Sequence, residues 1–373
     1  MMNCPICHSA KTTSYYRADM PQILSACPAQ ALKRVKVLPF EARLCLECSV
    51  GFNASRLSAR QLKSIYDSYL YISPRRGIGA SKFEGMFATI RRHLSPADEI
   101  LEVGCSEGYL LEKLRDAGYA HLSGIEPGPQ ADEARKIGLD VHRGYFHARS
   151  FPGQRFEGIV LMHVFEHFAD PVSMLRALKG KLSSSGKLII EVPDFTGYHH
   201  QHLFFYTLSS LRKLAGHVEM KIVEIFEGEG ALRLVMVVGC EVSPSGQNAK
   251  SSEKKIQRRA AFLMGDLCKT IHKLREVFKT HKKIHWWGAG SSSVFWLNQI
   301  GAGILKKTDL IVVDGDRAKW GMFIPGVNVE VWPSLILGDA TVGLMIIASE
   351  FSEEIKATMG THRIHARKIE VVT

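Results

Sequence analysis

The segment that most constrains the fold is an apolar strand that enters a glycine turn and continues as a helix. Residues 100–111 read Ile-Leu-Glu-Val-Gly-Cys-Ser-Glu-Gly-Tyr-Leu-Leu, so that Gly104 and Gly108 flank the turn. Glycine permits both a tight turn and the close approach of a ligand to the backbone. A second strand pattern ends at Glu126, 22 residues after Gly104. Strand, turn, helix and strand in this order predict a parallel α/β sheet.

The residues of this turn favour an adenosine ligand that carries positive charge. An acid at the end of the second strand is where the ribose hydroxyls of a nucleotide are held. The turn lacks the Gly-x-Gly-x-x-Gly spacing of dinucleotide sites, and Glu102 and Glu107 would repel a pyrophosphate. An adenosine ligand with an ammonium and a sulfonium group fits these carboxylates better. The alternative is that the two glycines serve packing alone.

Four cysteines form two Cys-x-x-Cys pairs near the start of the chain. Cys4 and Cys7 are separated from Cys45 and Cys48 by 37 intervening residues. Two such pairs predict a structural, tetrahedral zinc site, because four protein ligands leave no position open for a substrate. The long gap requires an insertion that loops out, in which Cys27 is expected to be a free thiol. The alternative is two unrelated pairs of buried or redox-active thiols.

The remaining patterns divide the 373-residue chain into five parts. Alternating short strands and helices fill both the middle and the end of the chain, with later strands expected near 284–287, 309–313 and 343–347. Between them lies a polar, turn-rich linker followed by a long amphipathic helix. The expected parts are a zinc-binding domain at 1–55, a helical connector or lid at 56–95, an α/β core at 96–242, the linker and basic helix at 243–283 and a second α/β domain at 284–373.

Composition restricts the class of protein and its partners. Hydrophobic residues make up 46% of the chain and charged residues 23%, which is typical of globular proteins. We see no apolar run of the roughly 18 residues that a membrane span needs and no signal-peptide pattern, so we expect a cytoplasmic protein without membrane contact. The net charge of +11 comes mostly from residues 243–283, which contain eleven Lys or Arg and three Asp or Glu. Such a run usually marks a solvated helix face.

Motifs along nearly the whole chain resemble one family. The turn at 102–108 and the Glu126 strand resemble those of class I S-adenosylmethionine-dependent methyltransferases, and residues 156–167 and 186–193 look like the family's fourth and fifth strands. Further motifs narrow the resemblance to nucleotide-sugar C-methyltransferases: the cysteine pairs, Tyr-Leu-Tyr-Ile-Ser at 69–73, Trp-Gly-Ala-Gly-Ser at 287–291, Val-Asp-Gly-Asp-Arg-Ala-Lys-Trp-Gly at 313–321 and Ile-Pro-Gly at 324–326.

The resemblance implies an architecture, a cofactor and a reaction. The architecture is a zinc-knuckle domain, a Rossmann-like methyltransferase core and a second, smaller Rossmann-like domain that helps to bind the substrate. The reaction is the transfer of a methyl group to a keto sugar carried by a nucleoside diphosphate, as part of carbohydrate biosynthesis. The cofactor is S-adenosylmethionine, with these residues expected to hold it: Tyr71, Glu102, Gly104, Cys105, Gly108, Tyr109, Glu126, Met162, His163 and His167.

A histidine-rich segment supplies the candidate catalytic residues. Residues 198–202 read Tyr-His-His-Gln-His, where the resembling family has Tyr-His-Glu-His-Leu one position later and uses the last histidine as a general base. That role maps onto His202, while His199 and Gln201 depart from the family's Tyr and Glu. Gln201 can orient the base but carries no charge. If the segment is extended, His200 and His202 face the same way. A surface loop and a second metal site are the alternatives.

The remaining candidate residues concern the substrate. These are His200, Tyr206, Gly230, Arg233, Gly288, Gly290 and Ser291. For Arg233 a surface ion pair is an equally good interpretation. Three other functions remain open: methylation of oxygen or nitrogen on another small molecule, methylation of RNA, and a scaffold with a vestigial site. The intact turn speaks against the scaffold, and the localised charge speaks against RNA. A nicotinamide site at Gly288 and Gly290 has only two of three glycines. We expect a monomer.

Overall fold

A computed structural model describes residues 2–55, 57–58, 60–61, 73, 80–193, 199–228, 231–239, 249–339, 341–349 and 352–372. Within helices, the side chains of residues 80–81 and 249–264 lie outside this description. Three sheets organise the described part of the chain, and each has its own connectivity.

The strands and helices follow one another in the following order. The first half contains β1 (Thr12–Pro21), α1 (Ala29–Leu32), β2 (Val37–Cys45), β3 (Gly51–Asn53), α2 (Ala80–His93), β4 (Glu99–Val103), α3 (Tyr109–Asp116), β5 (His121–Glu126), α4 (Gln130–Lys136), β6 (Asp140–Arg143), β7 (Phe156–Met162), α5 (Pro171–Lys179) and β8 (Leu182–Pro193). The second half contains β9 (Phe204–Phe205), α6 (Leu208–His217), β10 (Met220–Gly228), β11 (Ala231–Val238), α7 (Ala249–Thr280), β12 (Lys283–Trp287), α8 (Ser291–Ile300), α9 (Ala302–Leu305), β13 (Asp309–Asp314), β14 (Phe323–Ile324), β15 (Val329–Pro333), β16 (Thr341–Ala348), α10 (Ser352–Thr361) and β17 (His365–Val372).

The middle sheet has seven strands in the order β10-β11-β8-β7-β4-β5-β6. Strands β6, β5, β4, β7 and β8 pair in parallel, and β11 runs antiparallel to both β8 and β10. The chain leaves β4 in one direction through β5 and β6, then returns to the other side of β4 with β7. Ligands of open α/β sheets bind in the crevice at such a reversal, beyond the carboxyl ends of the strands. The sheet is therefore an α/β, Rossmann-like fold with its crevice between β4 and β7.

The C-terminal sheet has six strands in the order β14-β15-β13-β12-β16-β17. Only β14 is antiparallel to its neighbour. The three strands expected near 284–287, 309–313 and 343–347 are β12, β13 and β16. The apolar stripe of the long helix packs here, because Leu267, Ile271, Leu274 and Phe278 join the core of this sheet.

The N-terminal sheet is small and antiparallel, with the order β1-β2-β3-β9. Its fourth strand, β9, lies far along the chain and pairs with β3 through Gly51 opposite Phe205 and Phe52 opposite Phe204. Residue 55 is therefore not where this sheet ends, since β9 belongs to the segment that follows β8. Next to this ladder, the Asn53 amide donates to the carbonyl oxygen of Leu203 at 2.9 Å.

The N-terminal part of the chain also contacts the C-terminal sheet. The backbone of Cys27 pairs with that of Phe323 in both directions, at 2.9 and 2.8 Å, and Ala26 donates to the carbonyl oxygen of Ala289 at 3.1 Å. The ring of Tyr16 on β1 lies 5.9 Å from that of Phe295 on α8. The N-terminal sheet thus contacts both of the larger sheets. In the described part of the chain, we find no helix with the length and apolarity needed to cross a bilayer.

Candidate active site

The first glycine turn follows β4 at the crevice. Gly104, Ser106 and Gly108 all have positive φ, of 77°, 49° and 74°. A Cβ at Gly104 would clash with the side chain of Val164 from the loop after β7, so glycine is required both by conformation and by space. The amide of Gly104 donates to the carbonyl oxygen of Ile125 at 2.8 Å, which fixes the turn against the end of β5.

Glu126 is held beside this turn by two backbone amides. Ser106 donates to Oε2 at 3.1 Å, and Gly128 donates to Oε1 at 2.7 Å. Burial raises the pKa of Glu126, and these amides partly oppose the effect. Within the described residues, no lysine or arginine pairs with this carboxylate. Because a carboxylate has about four acceptor positions, those not used by the amides can accept ribose hydroxyls.

Glu102 lies under the turn and is 4% exposed. Burial, followed by the charge of Glu126, raises its pKa to about 8. Its Oε2 atom is buried without a hydrogen-bond partner. A cationic ligand would favour the ionised form of Glu102 and would satisfy this oxygen. The carboxylates at the turn, which accept hydrogen bonds and attract cations, therefore fit an adenosine ligand that carries an ammonium group. Near the turn, Ser73 Oγ donates to Glu107 Oε1 at 2.5 Å.

Other predicted cofactor residues lie around the same turn. The Cys105 side chain points into the core beneath Gly124, so only its backbone faces the turn. The Tyr109 ring packs edge-on against Phe83 at 4.9 Å, and Met162 is half-buried at the end of β7. Tyr71 lies outside the described residues.

His163 follows β7 with a φ of 53° and belongs to a buried ionic cluster. Its Nε2 is 3.2 Å from Glu191 Oε1, and Glu191 Oε2 lies 2.6 and 2.5 Å from Nε and Nη2 of Arg233. Although burial opposes ionisation, His163 and Arg233 hold the pKa of Glu191 below its usual range. The ion pair expected for Arg233 is present, but it is buried rather than on the surface, since Arg233 is 5% exposed. Gly230 lies outside the described residues.

From His199 to Gln201 the histidine-rich segment forms a turn rather than an extended strand. The condition under which His200 and His202 would face the same way is therefore not met. The His199 ring lies against that of His202, with centroids 3.6 Å apart. The His200 ring is fully buried and packs edge-on against Phe40 of β2 at 5.4 Å. His200 therefore faces the N-terminal sheet and not the His202 ring.

One residue that the sequence analysis missed is Glu166, in the turn after β7. It is 1% exposed, and its Oε1 is 3.6 Å from His202 Nε2 and 3.8 Å from His167 Nε2. These three side chains converge closely enough to hold a cation. The backbone carbonyl oxygen of Gln201 also reaches this cluster and lies 3.0 Å from His167 Nδ1. The sequence could have indicated Glu166 by its position, because it follows β7, a strand that ends at the crevice.

Tyr206 lies just behind this cluster. Its ring stacks on that of Phe165 at 5.2 Å and on that of Phe204 at 5.7 Å. Burial, followed by the charge of Glu166, raises the pKa of Tyr206 well above its ordinary value. The tyrosine is 1% exposed. It is therefore enclosed by the core, beside the residues expected to meet a substrate.

The four paired cysteines converge at the edge of the N-terminal sheet. Sγ of Cys4 lies 3.6 Å from that of Cys48, and Sγ of Cys7 lies 3.5 Å from that of Cys45. Four thiolates at about 2.3 Å from a tetrahedral zinc ion would be about 3.8 Å apart. The residues that follow the two pairs, His8 and Ser49, both have positive φ, of 58° and 65°. Both knuckles thus have the same turn, and their sulfur atoms fit a tetrahedral metal ion.

The acidity of these thiols also fits a metal site. The hydrogen bond with Cys45 raises the pKa of Cys4 to about 12, and that with Cys4 raises the pKa of Cys48, whereas the hydrogen bonds with Cys4 and Cys48 lower the pKa of Cys45. Sulfur atoms this close repel one another once they are ionised. A divalent cation among them would remove the repulsion and allow all four to bind as thiolates.

The second glycine turn, after β12, is closed by hydrogen bonds. The Gly288 carbonyl accepts from Ser293 Oγ at 2.7 Å, and the Ala289 carbonyl accepts from Ala26 and from Ser25 Oγ at 3.1 and 3.3 Å. Asp314, at the end of the next strand, pairs with Lys319 at 2.9 Å. Gly290 and Ser291 begin α8 and remain accessible to solvent. Of the three residues expected to meet the substrate here, Gly288 is enclosed.

Comparisons with known proteins agree with the geometry of the first turn. A family described as a methyltransferase domain matches residues 70–225. A tRNA U34 carboxymethyltransferase of Shewanella piezotolerans is 29% identical over 112 residues, which cover 27% of this chain and 34% of that protein. A ubiquinone biosynthesis O-methyltransferase of Azorhizobium caulinodans is 31% identical over 105 residues, which cover 26% of this chain and 41% of that protein.

The aligned regions are partial. The chain spans about a third of the length of the carboxymethyltransferases that it matches. Among solved structures, an S-adenosylmethionine-dependent methyltransferase from Clostridium acetobutylicum is 12% identical, with a TM-score of 0.37, over 48% of this chain and 98% of that chain. The family match includes strands β4 to β8 of the seven-stranded sheet, and with them the crevice between β4 and β7. Residues 70–225 are therefore similar to a methyltransferase domain.

Proposed function

We propose that the protein transfers a methyl group from S-adenosylmethionine to a small molecule, a keto sugar linked to a nucleotide, with His202 as the general base. The observation that carries the proposal is the position of His202 beside the carboxylate of Glu166, at the crevice that also contains the first glycine turn. The motif resemblance along the chain supports the sugar. A carbon acceptor next to a ketone needs a base, since its proton must leave before it can attack.

The chain's own residues divide the work. Glu126 holds the ribose, and Glu102 faces the cationic part of the cofactor. S-adenosylmethionine supplies the methyl group when it is bound. Its leaving group is a neutral thioether, so the site needs no acid for it. Catalysis then depends on alignment in a site that excludes water and on His202 as the proton acceptor.

Zinc completes the proposal as a structural ion held by the four paired cysteines. The sulfur separations of 3.6 and 3.5 Å support this assignment. Elemental analysis should find one zinc per chain, with sulfur ligands. Replacement of Cys45 by serine should release it. A metal-free protein with an ordered N-terminal sheet would contradict the zinc assignment.

The direct experiment follows the acidic hydrogen of the acceptor. Calorimetry against a panel of nucleotide sugars, with S-adenosylhomocysteine present, identifies the acceptor. That acceptor should then exchange its acidic carbon-bound hydrogen with deuterated water on the wild-type enzyme. His202→Ala should slow exchange and turnover by roughly 10²–10⁴-fold. His217→Ala, at the end of α6, is the control that should leave both unchanged. A product methylated on oxygen, without exchange at carbon, would reject the carbon acceptor.

Methylation of oxygen is the second candidate. One relative is named an O-methyltransferase, and Gln201 carries no charge where the resembling family has a glutamate. The names of other relatives make tRNA a third substrate to exclude. Binding to tRNA would weaken steeply with salt, because each phosphate contact releases counterions. A small-molecule enzyme should show no such dependence.

A further inference from the structure

The carboxylate of Glu166 is buried and lacks a conventional hydrogen bond. Both of its oxygens are shielded from solvent, and neither has a hydrogen-bond partner among the described residues. Burying a carboxylate is unfavourable unless a proton or a cation compensates for the lost hydration. A positively charged neighbour would provide such compensation.

Two imidazoles face this carboxylate, and a backbone contact fixes the position of one ring hydrogen. His167 Nδ1 lies 3.0 Å from the carbonyl oxygen of Gln201. A carbonyl oxygen only accepts hydrogen bonds, so Nδ1 carries the hydrogen and a neutral His167 presents a lone pair at Nε2. His202 Nε2, at 3.6 Å, is therefore the atom that can bring a hydrogen toward Glu166 Oε1.

Two other described neighbours of His202, His199 and Phe205, carry no negative charge. The His199 ring lies 3.6 Å from that of His202 between centroids, and burial lowers the pKa of His199 to about 3. Phe205 is apolar and lies 6.5 Å away. On the far side of Glu166, Tyr206 stays protonated because its pKa is raised. Among these described neighbours, Glu166 is the carboxylate that favours the charged form of His202.

We propose that Glu166 is the positioning residue for His202, and that it supplies the negative charge that Gln201 does not provide. This inference rests on the proposed function. His202 holds its hydrogen on Nε2 toward Glu166 and receives the acceptor's proton at Nδ1. The carbon–hydrogen bond breaks, its electron pair stays on the acceptor carbon, and the resulting imidazolium pairs with the carboxylate.

The test measures the ionisation of His202 itself. Nitrogen NMR of ¹⁵N-histidine-labelled enzyme, with S-adenosylhomocysteine bound and no acceptor, gives the pKa of the imidazole. In the wild type it should lie above the ordinary value, and in Glu166→Gln it should fall by about one unit or more. Glu166→Asp, which keeps the charge, should restore part of the shift. Calorimetry with S-adenosylhomocysteine checks that each variant is folded.

The outcomes separate this inference from the proposed function. A His202 pKa at or below the ordinary value in the wild type would overturn it, even if Glu166→Gln failed to fold. A second metal ion per chain, bound beside the cysteine site and lost in Glu166→Gln, would also overturn it, since Glu166 would then be a metal ligand. Because no acceptor is present, a raised pKa would support the pairing even if the methyl acceptor proved to be oxygen.

Discussion

The two glycine turns of this protein share one arrangement but differ in what surrounds them. Gly104 donates to the carbonyl oxygen of Ile125, and Gly288 donates to that of Val313 in the same way, at 2.8 and 2.9 Å. In both turns, the acid at the end of the next strand accepts one hydrogen bond from an amide of the turn and one from the amide two residues after the acid itself. Glu126 accepts from Ser106 and Gly128, and Asp314 accepts from Ala289 and Asp316.

The differences explain why one turn suits a cofactor. Lys319 neutralises Asp314, whereas no cation pairs with Glu126 among the residues described. Glu102 lies two residues before Gly104 of the first turn. The corresponding residue before Gly288 of the second turn is Trp286, whose Nε1 donates to Ser293 Oγ. The N-terminal segment then covers the second turn through Ser25 and Ala26. Thus the acid and glycine pattern alone does not make a ligand site; the acid must lack a partner in the protein.

The largest expected effect comes from replacing one of the proposed zinc ligands, which should expose only the second turn. Cys45→Ser should release zinc and unfold the N-terminal sheet, since structural zinc contributes about 10–16 kcal/mol in small zinc-binding peptides. The amide of Phe323, which bonds to Cys27, should then exchange rapidly with solvent. The amide of Gly104 should keep its protection. Hydrogen exchange with mass spectrometry makes this measurement.

The same variant tests the link to the candidate base. Asn53 Nδ2 contacts the carbonyl oxygens of His200 and His202, each at 3.4 Å. Loss of the N-terminal sheet should therefore loosen this segment, while affinity for S-adenosylhomocysteine stays unchanged. Equal exchange at both turns would contradict the difference between them.

Breaking the ion pair of the second turn should have the next largest effect. Asp314→Asn leaves the buried Lys319 without its partner and should lower the free energy of unfolding by about 3–5 kcal/mol. Urea unfolding followed by tryptophan fluorescence measures the loss. Combining it with Lys319→Met should recover part of the stability, because no unpaired charge remains. If the single variant lost cofactor affinity while its fold stayed intact, the cofactor would bind at the second turn, which would contradict its placement at the first.

A pair of matched glycine substitutions gives a smaller effect. Gly104→Ala places a residue with a side chain at a positive φ, which costs about 1–2 kcal/mol. The added Cβ would also clash with the side chain of Val164. Affinity for S-adenosylhomocysteine should fall about tenfold or more. Gly290→Ala is the control, because its φ is −96° and a Cβ there meets open space. Similar effects of the two substitutions on affinity would refute the distinction.

The smallest expected effect is the pH dependence that Glu102 confers on the first turn. Its pKa of about 8 lies above the ordinary value of 4.5, so the folded protein holds a proton that the unfolded chain releases. Stability without ligand should therefore decrease as the pH rises from about 4.5 to about 8. A ligand ammonium favours the ionised form, so binding at pH 7 should release up to about one proton. Calorimetry in buffers of different ionisation enthalpy counts this proton, and Glu102→Gln should abolish the release.

Sequence patterns predicted what depends on neighbours along the chain. The turn at Gly104, the acid at Glu126 and three of the six strands of the C-terminal sheet follow from local spacing. What could not be predicted depends on distant contacts. Pairing of β3 with β9 joins residues more than 150 positions apart, and the enclosure of Gly288 depends on Ser25. The distance between Glu166 and His202 likewise arises only when two loops meet at one edge of the sheet.

The most direct measurement of the central claim is the affinity of Glu126→Ala for S-adenosylmethionine. The substitution removes an acceptor for two charge-assisted hydrogen bonds, each worth about 1.5–3 kcal/mol. Calorimetry should therefore show at least about a tenfold weaker affinity. Glu133→Ala, an exposed glutamate on α4 that pairs with Lys136, is the matched control and should bind as the wild type does. Unchanged affinity in a folded Glu126→Ala protein would mean that the ribose is held elsewhere.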